Sequence, residues 1–169
     1  MSPAELSKLW KGLFYCFWMS DKPLVQQQLA QELSELVLMV AGIDMRSEEA
    51  QVASLRHALA ALDFYQGFWH TMQAEWLGVD KFRIDKYYLL MRRFLQAGCQ
   101  LLLVHGCDAL LVERYVHIMR GTDGPLSSNN VHVPDSITYH ICDAFLAELV
   151  AAVAAPVSYT HLTLPTSDL

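Results

Sequence analysis

Seven histidines and four cysteines are the side chains of this 169-residue chain best suited to hold a metal or act as nucleophiles. Cys99, His105 and Cys107 come nearest to a ligand set. Zinc sites, however, pair their ligands at tighter, repeated spacings, and these three read better as two helix residues and a loop histidine. His57 and His70 fall inside helical patterns, where a histidine bonded to backbone or solvent is the common case. Asp143 and Glu148 stand five residues apart and share no tight helical face. Asp80 and Asp85 flank basic residues in the manner of capping or ion-pairing groups, not of an acid–base couple. The chain has no Gly-x-Ser-x-Gly, no phosphate-binding glycine loop, no dinucleotide fingerprint and no His-Glu-x-x-His. The expectation is a protein without catalytic residues, metal, cofactor or small-molecule substrate.

One cluster does stand out. Lys81, Arg83, Lys86, Arg92 and Arg93 fall within thirteen residues, opposed only by Asp85, with Tyr87 and Tyr88 interleaved. On a helix Arg83 and Lys86 share a face, and Arg93 lies two turns beyond Lys86. Such a strip could grip RNA phosphates beside a stacking aromatic, meet an acidic patch on a protein, or be a solvated face with internal pairs. Among the aromatics, Trp10, Phe14, Phe17, Phe68 and Trp69 recur at core spacing. Trp18 and Trp76, near the ends of their helices, are the candidates for an exposed partner surface.

These residues need elements to hold them, and the pattern is helical throughout. Ser2, Pro3 and Glu5 form a helix start with a capping box, followed by Leu6, Leu9, Trp10, Leu13, Phe14 and Phe17. Ser20-Asp21-Lys22-Pro23 breaks the chain and opens a second helix through Val25, Leu29, Leu33, Leu36, Val37 and Val40, stopped by Gly42. Ser47, Glu48 and Glu49 are expected to cap a third, running from Leu55 to Trp76 with a bend near Gly67. Gly78-Val79-Asp80 precedes a fourth through Phe82, Tyr88, Leu89, Met91, Leu95 and Leu102, ended by His105-Gly106. A fifth spans about Asp108 to Arg120. Gly121 to Pro134 is a loop dense in turn formers, and a sixth helix starts at Pro134-Asp135.

The bulk numbers fit this picture. The chain is 53% hydrophobic with mean hydropathy +0.21, and its length suits one domain with a real core. The longest uninterrupted apolar runs, Leu36–Ala41, Leu101–Val104 and Leu149–Val157, are far short of the roughly 20 residues that span a bilayer. The apolar excess is therefore expected in core or interface, with no membrane partner. A net charge of −6 argues against simple coating of nucleic acid. No secretory signal is read at the start, and the four cysteines form no CxxC pair. Three of them lie on helical patterns as small buried hydrophobes, which suggests a reducing, intracellular setting without disulfides.

The reading is all-α: about six antiparallel helices in a helical-repeat or α-α superhelical arrangement. A faint internal echo supports it. Trp10, Trp18 and Asp21-Lys22 resemble Trp69, Trp76 and Asp80-Lys81, each a helix with two tryptophans before an Asp-Lys turn. The last residues break the pattern. Val157-Ser-Tyr-Thr-His-Leu-Thr-Leu-Pro-Thr166 resembles the conceptual translation of a transposase adaptor used in sequencing libraries. Residues 1–156 are thus expected to be a partial helical domain, and 157–169 a non-native tail.

Three strings resemble the ribosomal RNA processing protein 1 family, also called the nucleolar Nop52 family. They are Leu9-Trp-Lys-Gly-Leu-Phe-Tyr-Cys-Phe-Trp-Met-Ser-Asp-Lys-Pro23, Phe68-Trp-His-Thr-Met-Gln-Ala-Glu-Trp76 continuing through Gly78–Tyr88 and Leu90–Arg92, and Val133–His140 leading into Phe145–Leu149. They occur in family order across about residues 4 to 150. The resemblance implies a non-catalytic helical assembly factor in the nucleus and nucleolus, supporting precursor rRNA processing in the large subunit. Its implied partners are pre-ribosomal assembly proteins and precursor rRNA. Against the family pattern, upstream helical sequence, continuation past residue 150 and a long basic tail are missing, while Gly42–Val52 and Gly121–Val131 match poorly, as variable connections would. The competing expectation is a cytoplasmic helical-repeat adaptor for a single protein partner.

Overall fold

In the computed structural model, which describes residues 1–43 and 54–155, the chain forms six α-helices and one 3-10 turn, with no strand among the described residues. The helices are α1 (Pro3–Trp18), α2 (Pro23–Val40), α3 (Leu55–Glu75), α4 (Ile84–Val104), α5 (Ala109–Arg120) and α6 (Asp135–Ala154). The 3-10 turn, Trp76–Gly78, follows α3 directly.

Local chemistry sets most of the boundaries. The Ser2–Glu5 capping box is closed in both directions: Glu5 N–H donates to Ser2 Oγ at 3.3 Å, and Ser2 N–H to Glu5 Oε2 at 2.7 Å. Pro23 opens α2 and Asp108 caps α5, accepting from the backbone N–H of Leu110 and Leu111. α2 and α4 end on Gly42 (φ 76) and Gly106 (φ 62). Each glycine allows the next N–H to reach back to a carbonyl five residues earlier, Ile43 to Leu38 at 2.9 Å and Cys107 to Leu102 at 2.8 Å.

Two boundary expectations change. The predicted cap at Ser47–Glu49 lies outside the described residues, and α3 is capped by Ser54, whose side chain accepts from His57 N–H. α3 also runs unbroken through Gly67. The glycine serves close approach there: a Cβ would sit 2.5 Å from Trp10 Cδ1. The proposed tail, 157–169, likewise lies outside the described residues.

The helices stack in two layers by order along the chain. α1 packs on α3 and α3 on α5, while α2 packs on α4 and α4 on α6. Within the odd layer the contacting positions rise together, Trp10 with Phe64 and Tyr15 with Glu75, so α1 and α3 run parallel. The even layer repeats this, with Tyr88 on His140 and Arg92 on Glu148. Same-layer neighbours two elements apart are the stacking that a helical repeat produces. The sequence echo falls on equivalent places in it: Trp10 and Trp69 lie on α1 and α3, and the two Asp-Lys pairs lie in the turns before α2 and α4.

The core joins the layers through aromatic rings. Phe68 stacks on Phe94 with centroids 3.7 Å apart, and Trp10 packs against Phe64, Phe68 and Phe94. Two buried polar atoms find backbone acceptors: Trp10 Nε1–H donates to Phe64 O and Tyr87 O–H to Phe14 O, both at 2.9 Å.

α6 corrects the reading based on apolar runs. By length and composition alone it is long and apolar enough to cross a membrane, because scattered polar residues interrupt its runs without lowering its average much. In the fold, Ile137, Ile141, Ala144, Glu148 and Ala152 are its buried positions, facing α4. Glu148 is ion-paired there with Arg92. The cysteines need a second correction: Cys99 alone is buried, and Cys16, Cys107 and Cys142 are exposed. Cys107 sits in a turn with φ 54, outside any helix.

Candidate functional site

The basic cluster starts where the chain leaves α3. The Asp80 carboxylate folds this turn on itself, with Oδ1 accepting from Phe82 N–H at 2.9 Å and Arg83 N–H at 3.1 Å. Its other oxygen pairs with the Arg83 guanidinium. Burial works to raise the Asp80 pKa, but Arg83 and the backbone N–H groups outweigh it and hold the carboxyl below its ordinary value. Arg83 also lies over the Trp18 ring, 4.7 Å from its centroid, a cation–π contact that ties α4 to the end of α1.

Lys86 goes further inward. It is 6% exposed, and its ammonium donates to three carbonyls at the end of α1, Phe17 O at 2.9 Å and Trp18 O and Ser20 O at 2.7 Å. A helix end leaves carbonyls without intrahelical donors, and a cation there also meets the negative end of the helix dipole. Burial, then Arg83, pulls the Lys86 pKa below its ordinary value, while Asp21 and Asp80 act to raise it. Lys86 thus caps α1 from within α4 and has no ammonium hydrogen left to offer a phosphate.

The remaining members divide likewise. Arg92 Nε donates to Glu148 Oε1 at 2.7 Å, joining α4 to α6. Arg93 is half-buried, its Nη1 reaching Gln96 Oε1 at 3.4 Å. Lys81 is exposed, makes no ion pair among the described residues, and rests its ammonium 5.0 Å from the Phe82 ring centroid. The five residues expected to form one strip are therefore not a continuous basic surface.

The two tryptophans singled out for exposure are also corrected. Trp76 is 6% exposed, and its Nε1–H donates to Ser136 Oγ at 2.8 Å, which anchors the start of α6. Trp18 is half-buried beneath Arg83. Both lie near helix ends, but the adjoining turn of the next hairpin folds over each.

What does project was missed. Leu77 is 93% exposed and Phe82 84% exposed, on either side of the Asp80 turn. Its apolar spacing places Phe82 in the fourth helical stripe, but α4 begins only at Ile84. The signal was present: an aspartate whose side chain accepts from the N–H groups two and three residues on makes a turn, and the helix starts after it. Exposed Met19 and Lys22 occupy the matching turn between α1 and α2, and exposed Leu24 follows in the first turn of α2. The two turns meet where Lys86 and Arg83 grip α1. Near them runs the α5–α6 loop, held by Gln73 Nε2 donating to Asp123 O at 3.1 Å and Thr138 Oγ1 donating to Pro125 O at 2.8 Å. One edge of the molecule is thus built from hairpin tips bearing apolar side chains and lysines on a braced base.

No group of three or more His, Cys, Asp or Glu close enough to share a metal occurs among the described residues. In the set weighed from the sequence, His105 Nδ1 lies 2.9 Å from Leu101 O. Cys99 is buried, its thiol pKa pushed up to about 11, first by burial.

The sequence model of the family described as nucleolar protein Nop52 matches residues 1–166. Human ribosomal RNA processing protein 1 homolog A is 36% identical over 145 residues, which make up 86% of this chain and 28% of the relative. The mouse homolog B is 36% identical over 155 residues, 91% of this chain and 19% of the relative. The Drosophila melanogaster homolog is 28% identical over 163 residues, 95% of this chain and 21% of the relative. The chain therefore spans well under a third of the length of these relatives.

Proposed function

Since this chain belongs to the Nop52 family of nucleolar proteins, we propose that it is a non-catalytic scaffold for ribosome assembly which supports precursor rRNA processing by holding pre-ribosomal proteins together. Its place of action is the nucleolus and its particle the large-subunit precursor. The observation that carries the mechanism is the hairpin-tip edge. Leu77, Lys81 and Phe82 stand out on a turn whose base is fixed by Asp80, Arg83, Lys86 and Trp18.

Exposed apolar side chains beside a lysine suit a protein partner, because a contact buries the apolar area while the lysine selects an acidic neighbour. Phosphate binding is less well supported. Of the five cluster cations, Lys86 is enclosed by carbonyls, and Arg83 and Arg92 face carboxylates. Precursor rRNA is then reached chiefly through bound proteins.

Purification of the tagged full-length protein, with and without ribonuclease, tests this reading. The expected result is recovery of large-subunit precursor rRNA together with assembly proteins, and retention of at least one of those proteins after nuclease treatment. Loss of every protein partner on nuclease treatment would place the binding in RNA and overturn the mechanism. Recovery of one cytoplasmic protein without precursor rRNA would make the chain an adaptor.

A further inference from the structure

α6 is apolar on two opposite sides. Ile137, Ile141, Ala144 and Ala152 are buried on the side that meets α4. On the other, Tyr139, Cys142, Leu146, Val150 and Val153 recur at intervals of three and four residues, which places them in one stripe. All five are exposed, the four large ones by 61% to 69%. Asp143 is the one acidic or basic side chain exposed between Tyr139 and Ala154. A helix that is apolar all round belongs inside a protein, with neighbours on both sides.

The other end of the same layer shows what a finished surface looks like here. Along the solvent side of α2, Gln28 donates to Glu32 and Gln31 to Glu35, each at 2.8 Å. A terminal repeat needs such a polar outer face. α2 has it along its middle turns, its exposed Leu24, Val25, Met39 and Val40 standing at the two ends, whereas the apolar stripe of α6 runs the length of the helix. The layer also has a direction: α2 packs on α4 and α4 on α6, so a further helix of this layer, two elements on from α6, falls on the Tyr139–Val153 stripe. The relatives matched by this chain are several times longer than the matched segment, so the family has polypeptide from which to supply it.

We propose that this outer face of α6 is a stacking surface for a further amphipathic helix of the same protein, laid on α6 as α6 is laid on α4. That helix presents apolar side chains at three- and four-residue intervals. It covers Cys142 along with the stripe.

Cys142 makes the proposal testable in the full-length protein. Maleimide labelling under native conditions, with each site followed by peptide mass spectrometry, compares it with the exposed Cys16 and Cys107. Cys142 is expected to label slower than either by about tenfold or more, as a site must that reacts only through local opening, at a rate independent of protein concentration. Labelling as fast as Cys16 means an open face and overturns the proposal. Protection that vanishes on dilution means that a second copy covers the face, and overturns it too. Val150→Glu supplies the second arm, in which Cys142 is expected to become reactive while buried Cys99 stays protected. An unchanged Cys142 rate in that variant would also contradict the proposal.

Discussion

The base and the rim of the α3–α4 turn come from one short stretch of sequence and do opposite things. Asp80, Arg83 and Lys86 point back into the molecule, where they pair, stack and cap. Leu77, Lys81 and Phe82 point out of it. A lysine five residues from another lysine is a structural cation in one case and a surface group in the other. The difference lies in what the neighbouring hairpin presents. The end of α1 offers three carbonyls to Lys86 and an aromatic face to Arg83, whereas Lys81 rests on the ring of its own chain neighbour Phe82 and takes no carbonyl or carboxylate partner among the described residues. Charge density along a sequence is therefore a poor guide to charge density on a surface when helix ends lie close by.

The largest effect should come from the base. Lys86→Met keeps the apolar stem and removes the donor from three carbonyls, and hydrogen bonds to charged groups are worth about 1.5–3 kcal/mol each. Because the three share one ammonium and the carbonyls can partly recover water, a loss of about 3 kcal/mol is expected. Urea denaturation followed by tryptophan fluorescence measures it. A change below about 0.5 kcal/mol, the size of an ordinary surface substitution, would erase the distinction between base and rim.

Next comes the link from α4 to α6. Arg92→Ala strands the buried Glu148 carboxylate. Breaking a fully buried pair costs about 3–5 kcal/mol, and the partial exposure of Arg92 lowers the expectation to about 2 kcal/mol. The double variant Arg92→Leu/Glu148→Leu should recover most of that loss, since no unpaired charge remains. Failure to recover would mean that packing around Arg92, and not its charge, is what matters.

A smaller, pH-dependent effect is expected at the same interface. His140 stacks on Tyr88 at 4.2 Å, and its Nε2 lies 3.1 Å from Tyr88 O. Burial foremost, and Arg92, hold its pKa below 6.5, against the Tyr88 carbonyl, Asp143 and Glu148. The unfolded chain therefore takes up the proton first as pH falls below 6.5, so stability drops with acidification across that range. His140→Gln should flatten this part of the stability–pH curve. An unchanged slope would assign the acid sensitivity to other groups.

The sequence made most of the helices legible because their signals are local. Ser2 with Glu5, Pro23, Asp108 and the Gly42 and Gly106 stops each act within a turn or two of themselves. The apolar spacing of Trp10, Phe14, Phe17, Phe68 and Trp69 placed them correctly in the core. The site was much less legible. Lys86 is buried by carbonyls 66 to 69 residues away, and Trp76 by Ser136, 60 residues on. Neither can be read from residues nearby in the chain. Phe82 failed differently, since a helical stripe was extended two residues too far, across a turn that Asp80 already marked.

The rim should cost the fold least and the function most. Leu77→Ser/Phe82→Ser and Lys81→Glu change exposed side chains and are expected to alter stability by no more than about 0.5 kcal/mol per substitution. The decisive measurement is the amount of large-subunit precursor recovered with full-length Leu77→Ser/Phe82→Ser protein, set against wild type at equal abundance and equal melting temperature. The account predicts a loss of most of the precursor from a protein that folds normally. Undiminished recovery from that protein would contradict it and move the partner surface elsewhere on the molecule.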